Sequence, residues 1–151
     1  MYSDYLVPFD GSAASFRAVE TAIEVGCTCG YVQITVLTVR KINDSDLTNY
    51  DVAARLAGFA VSSDGRVHQA TQSEEGQSSV QEFFDSLPEN IDVKIVVKRG
   101  NPSDVICEYA RDNDIDCIVM GRRGLGGIRA VLGSVSSAVL RDSDLPILVV
   151  K

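Results

Sequence analysis

Five short runs rich in branched apolar residues, at 5–9, 31–39, 93–97, 115–120 and 145–150, are separated by stretches whose apolar residues recur at helical spacing. This alternation constrains the fold more than any other feature of the chain. Strand followed by helix, repeated, predicts an α/β protein with an open parallel sheet, helices on both faces and right-handed crossovers. The runs are largely apolar, as expected of parallel strands covered on both sides. The 151 residues suffice for one domain with a proper core, and we read 1–151 as a single domain.

Local signals place the elements. Ser12 suits the N-cap of a helix over 13–25, with Phe16, Val19, Ala22 and Ile23 on one stripe and Gly26 as its stop. Asn101 and Pro102 open a second helix, with Val105, Ile106, Tyr109 and Ala110 as its apolar stripe. A third runs from Ser134 to Arg141. The polar connection 40–65 holds a short helix at about 52–59, and a further helix is expected over 67–87, buried through Val80, Phe83, Phe84 and Leu87. A long connection after a strand is often functional, and this one could close over a ligand.

The chemistry concentrates between Met120 and Ser137. Gly121, Gly124, Gly126, Gly127 and Gly133 lie between a strand and a helix, with Arg122, Arg123 and Arg129 and no acid among them. Glycine admits close backbone approach, and a helix start near Gly133 and Ser134 presents unpaired N–H groups and the positive end of a dipole. Together these suit the phosphates of a nucleotide. A Gly-rich connection with solvated arginines is the plain alternative. The segment is not a P-loop, since no Gly-Lys-Ser/Thr follows. Nor is it the dinucleotide fingerprint, which demands Gly or Ala where Arg129 stands.

In such sheets ligands sit beyond the carboxyl ends of the strands. Residues 8–12, Val39-Arg40 and the segment from Gly121 meet that condition. Asp10 could accept from a base amino group or a ribose hydroxyl, or merely favour the start of the next helix.

Composition narrows the partners. Net charge is -7 and pI about 4.6, which argues against nucleic-acid binding and makes the basic cluster at 122–129 a local exception suited to a small anion. The start, Met1-Tyr2-Ser3-Asp4-Tyr5, has no basic segment of the kind that opens a signal peptide, and no run has the length of a membrane span. Cys107 and Cys117 fall in apolar patterns and read as buried thiols. Cys27-x-Cys29, with His68 as the single histidine, makes a poor metal site. We expect no metal ligands, no membrane partner and a reducing cytoplasm.

Four segments together resemble the universal stress protein family: Leu6-Val7-Pro8-Phe9-Asp10-Gly11-Ser12, Asp116-Cys117-Ile118-Val119-Met120-Gly121, the Gly-Arg-Arg-Gly…Gly-Ser stretch, and Leu145-Pro146-Ile147-Leu148-Val149-Val150. The resemblance covers essentially the whole chain in order. It implies a five-stranded parallel sheet of the Rossmann-like, adenine nucleotide alpha hydrolase-like kind, paired as a homodimer through the last strand, from Leu145 to Val150. Nucleotide-binding members hold ATP with a Gly-x2-Gly-x9-Gly-Ser/Thr motif. By resemblance Gly121, Gly124, Gly133 and Ser134 wrap the phosphates, with Arg122 and Arg123 beside them and Val135 and Ser136 adding donors. Asp10 and Val39 hold the nucleoside, and Pro8 and Met120 line its pocket. Eight residues separate Gly124 from Gly133, one fewer than the motif has. The implied function is a regulatory or stress-response factor binding ATP, with or without Mg²⁺, and with no catalytic residue of its own. Two alternatives stay open: a nucleotide-free interaction module and a slow ATPase.

Overall fold

The computed structural model describes residues 2–43, 47–57, 59–61, 67–69, 84–123 and 132–151, and all side chains there except those of residues 50, 59–61 and 67–69. Its main sheet holds β1 (Asp4–Pro8), β2 (Val32–Arg40), β5 (Ile91–Arg99), β6 (Cys117–Gly121) and β7 (Ile147–Val150). Their order is β5-β2-β1-β6-β7, and every pairing is parallel. The helices given in full by the described residues are α1 (Ala13–Cys27), α2 (Asn49–Leu56), α3 (Pro102–Asp112) and α4 (Ser134–Asp142). The expected open parallel five-stranded sheet is what forms.

Side chains of successive strand residues point to opposite faces, so each strand feeds two cores. Tyr5, Val7, Phe9, Ile34, Val36 and Val119 pack on one face with Val19 and Ile23 of α1 and Val52 and Leu56 of α2. Leu6, Leu37, Ile118 and Met120 pack on the other, with Ile106 and Ala110 of α3 and Val139 of α4. Leu6, Val7 and Ile118 are fully buried, as the center of a doubly covered sheet requires.

The cap signals act as expected. The Ser12 hydroxyl accepts from the N–H of Ser15 at 3.2 Å, and the Asn101 side chain accepts from that of Asp104 at 3.4 Å, with Pro102 opening α3.

Three expectations require correction. Gly26 does not stop α1: the helix runs through it to Cys27, and Thr28 is the cap. A Cβ on Gly26 would stand 3.2 Å from Ile91 Cδ1, so this glycine serves close packing of α1 on β2 and β5. The helix expected at about 52–59 spans Asn49–Leu56, where Thr48 and Asp51 form a reciprocal capping box, and the chain turns extended by Phe59. The helix expected over 67–87 does not begin at Val67. Here β3 (Phe59–Val61) and β4 (Val67–Gln69) form a separate antiparallel pair that includes His68. Cross-strand pairing outweighs helical spacing in so short an apolar run. Helical backbone is present at 84–85, whereas Val80 and Phe83 lie outside the described residues.

Candidate functional site

Within the sheet the chain passes from β1 to β2 and β5 on one side, then to β6 and β7 on the other. The order therefore reverses at β1, and the crevice beyond the carboxyl ends of β1 and β6 is where such sheets take ligands. A cavity of about 500 Å³ opens there.

Its floor and walls come from several strand ends. Pro8, Phe9 and Asp10 end β1, Leu37, Val39 and Lys41 follow one face of β2, and Met120 and Gly121 end β6. The β1 end is tied to β2 by Phe9 N–H donating to the Leu37 carbonyl at 2.8 Å and by Thr38 Oγ1 donating to the Phe9 carbonyl at 2.9 Å. Asp10 faces the cavity while its Oδ1 accepts from Ser12 N–H at 2.9 Å across Gly11, whose φ of 81° suits glycine. Both readings of Asp10 are thus compatible in one side chain: one oxygen supports the start of α1, and the carboxylate lines the cavity.

The opposite wall is the start of α4, with Gly133, Ser134, Val135 and Ser136 all on the cavity. Gly133 is the N-cap and supplies no side-chain cap. First-turn N–H groups have no partner within a helix, so they are available to an anion there. Arg123 lines the same region. The two ends of the glycine segment are fastened: Arg122 N–H donates to the Val150 carbonyl at 2.7 Å, and Gly133 N–H donates to the Arg122 carbonyl at 2.9 Å. Arg122 is therefore part of the frame of the loop and is not among the cavity-lining residues. Gly124, Gly126, Gly127 and Arg129 lie outside the described residues.

Two of these residues also have a structural part. A Cβ on Gly121 would lie 2.7 Å from Ala14 Cβ and 2.8 Å from its carbonyl carbon. Glycine is needed there so that β6 can meet α1. The Ser136 hydroxyl donates to the Gly121 carbonyl at 2.9 Å, which joins α4 to β6 and leaves the backbone of Ser136 as its group toward an anion.

Phe9 and Ser12 belong to the segment 8–12 already expected at the site, whereas sequence reasoning missed Ser15, Leu37, Lys41, Pro102 and Ile106 in the lining. Lys41 was legible, since it continues the alternate-residue series Leu37, Val39. Pro102 and Ile106 carry no such signal, because only the packing of α3 on this face brings them in.

Burial raises the Cys27, Cys107 and Cys117 thiols, and all four cysteines are free. Among the described residues no cluster of three or more His, Cys, Asp or Glu could hold a metal ion, and no helix is long and apolar enough to cross a membrane. Among the described residues the site thus combines an apolar floor, one carboxylate, two cations and a helix start. That combination suits a flat, largely apolar body with an anionic tail.

Comparison with known proteins bears on the family and the fold. Universal stress protein Sll1388 of Synechocystis sp. is 30% identical over 152 residues, covering 99% of this chain and 98% of that protein. The solved universal stress protein UspA from Lactobacillus plantarum superposes with a TM-score of 0.67 at 24% identity, covering 99% of this chain and 98% of that one. A universal stress protein solved in complex with cAMP has a TM-score of 0.58 at 25% identity, covering 99% and 96%. The sequence profile described as "Universal stress protein family" matches residues 1–151, and this chain belongs to that family.

Proposed function

We propose that this protein is a nucleotide-binding regulatory factor of the stress response, with ATP as its ligand, held with or without Mg²⁺. The observation that carries the reading is the meeting of three features on one cavity. These are the uncapped first turn of α4, Arg123, and an apolar pocket containing Asp10. Phosphates would take the N–H groups of Ser134, Val135 and Ser136 together with Arg123, in charge-assisted bonds. The nucleoside would rest between Pro8, Val39 and Met120, with Asp10 accepting from a sugar hydroxyl or base amine. Gly121, Gly133 and Arg122 would shape the loop, and Gly124 would complete it. A universal stress protein of this fold solved in complex with cAMP supports a nucleotide as the class of ligand.

Thermal unfolding with and without nucleotide tests the reading. ATP at a hundred times its Kd should stabilize the fold by about 2.7 kcal/mol. Absence of any shift with ATP, ADP, AMP and cyclic AMP would overturn it and favor a nucleotide-free interaction module.

We further propose a cytoplasmic homodimer paired through the strand from Leu145 to Val150. In the structure β7 sits at the sheet edge, with Leu148 39% exposed, and such an edge invites a second copy. A single species of monomer mass in sedimentation at micromolar concentration would rule the dimer out.

A further inference from the structure

The turn that follows β1 carries a hydrogen-bond donor that the fold itself does not use. Ser12 is 8% exposed and lines the cavity. Its carbonyl accepts from Phe16 N–H at 3.0 Å and from the Ser15 hydroxyl at 2.8 Å, and its hydroxyl oxygen accepts from Ser15 N–H at 3.2 Å. Capping α1 therefore takes only a lone pair of that oxygen. A serine hydroxyl also has one proton to give, and among the described residues none accepts it. A buried donor left unpaired is costly, so this proton calls for an acceptor in the cavity.

The same turn sets an acceptor beside the donor. Asp10 also lines the cavity, and the 2.9 Å bond from Ser12 N–H to Asp10 Oδ1 holds the carboxylate and the hydroxyl close together. A carboxylate offers about four acceptor sites, so bonds within the protein leave room for a ligand. An alcohol can donate to Asp10 and accept from Ser12 with a single oxygen. Position decides which alcohol. Ala14, in the first turn of α1, packs so closely on Gly121 that a Cβ there would stand 2.7 Å from Ala14 Cβ, and Ser136 of α4 bonds the Gly121 carbonyl. The turn from Asp10 to Ser12 thus stands between the apolar floor and the start of α4, as the sugar of a nucleotide stands between base and phosphate.

We propose that Ser12 is a specificity-determining residue. Its hydroxyl donates to a sugar hydroxyl of the nucleotide, which in turn donates to the Asp10 carboxylate, so the site prefers a ribonucleotide over the form lacking that hydroxyl. The inference rests on the nucleotide reading above and narrows the two options for Asp10 to the sugar.

Calorimetric titration of the full chain with ATP, 2′-deoxy-ATP and 3′-deoxy-ATP tests this. The expected result is that ATP binds roughly tenfold tighter than one of the two deoxy forms. Ser12→Gly removes the donor yet keeps a residue that serves an N-cap nearly as well as serine. In that variant ATP affinity should fall about fivefold and that of the disfavored deoxy form should hold, so the ratio drops to about two, the residue due to Asp10. Ser12→Thr should keep the wild-type ratio. Equal affinity for ATP and both deoxy forms, or a ratio unchanged by Ser12→Gly, overturns the role of Ser12 and leaves the nucleotide reading standing. Failure of ATP and both deoxy forms to bind the wild type overturns the nucleotide reading itself, and this inference with it.

Discussion

The two ends of the same sheet are built on opposite principles. At the amino ends of the strands, polar groups are turned inward on the chain. Asp116 Oδ2 accepts from Ser3 N–H at 2.8 Å, Asp4 N–H at 3.1 Å and Ser3 Oγ at 3.2 Å, which fastens the start of β1 beside β6. Asn90 Nδ2 donates to the carbonyls of Gly26, Cys29 and Gly30 at 3.0–3.3 Å and so locks the end of α1 to the start of β5. At the carboxyl ends the strands stop short, glycine replaces side chains, and the uncapped turn of α4 and the Asp10, Lys41 and Arg123 side chains face a cavity. Identical strands thus end in a closed seam on one side and an open site on the other. The difference teaches where stability and binding are separable.

That contrast can be broken in graded steps. Gly121→Val has the largest expected effect, because its Cβ would meet Ala14 backbone at under 3 Å and neither element can yield cheaply. We expect a loss of about 3 kcal/mol or more in urea unfolding. Wild-type stability in this variant would show that β6 and α1 are not in close contact. Asn90→Ala comes next: three carbonyls lose a shared donor, at a cost of about 1–2 kcal/mol, with nucleotide affinity unchanged. Altered affinity there would mean that the two ends are coupled.

Asp116→Ala gives a smaller loss of about 1 kcal/mol near neutral pH, because the half-buried carboxylate keeps part of its contact with solvent. It is also the variant with a pH signature. The bond from Ser3 N–H, helped by those from Asp4 N–H and the Ser3 hydroxyl, holds the Asp116 carboxyl below its ordinary range against the opposing effect of desolvation. A lowered folded-state pKa means that the unfolded chain takes up the proton first. The contribution is therefore full above about pH 4 and fades as pH falls through the folded-state value. Stability curves of wild type and variant should converge in acid, and a constant gap down to the lowest pH would refute the assignment. Arg123→Ala should change intrinsic stability least, within about 0.5 kcal/mol, yet reduce any stabilization by ATP that the proposed function requires. A large loss without ligand would mean that the open end also supports the fold.

Much of this was readable from residues in a row. The strand runs, the Ser12 and Asn101 caps and the helix start at Ser134 depend on neighbors within four positions, and all three signals held. The candidate residues Pro8, Asp10, Val39, Met120, Gly121, Arg123, Gly133, Ser134, Val135 and Ser136 do line one cavity. Reasoning failed where contacts across the fold decide. Gly26 reads locally as a helix stop but is a packing glycine, and Val67–Gln69 reads as helical but pairs with Phe59–Val61. The connection after β2 reads as a loose cover, yet its α2 plants Val52 and Leu56 in the core at 0–1% exposure.

The sequence by itself determined the alternation of strand and helix, and with it the parallel sheet and the end of that sheet at which a site would lie, because periodicity and capping are properties of short stretches. Only the tertiary structure decided which glycine serves packing, which serine hydroxyl is already engaged, and that a lysine beyond β2 and an arginine beyond β6 share one opening. Those facts arise from strand order, which brings residues 41 and 123 to either side of β1 and which no local pattern encodes.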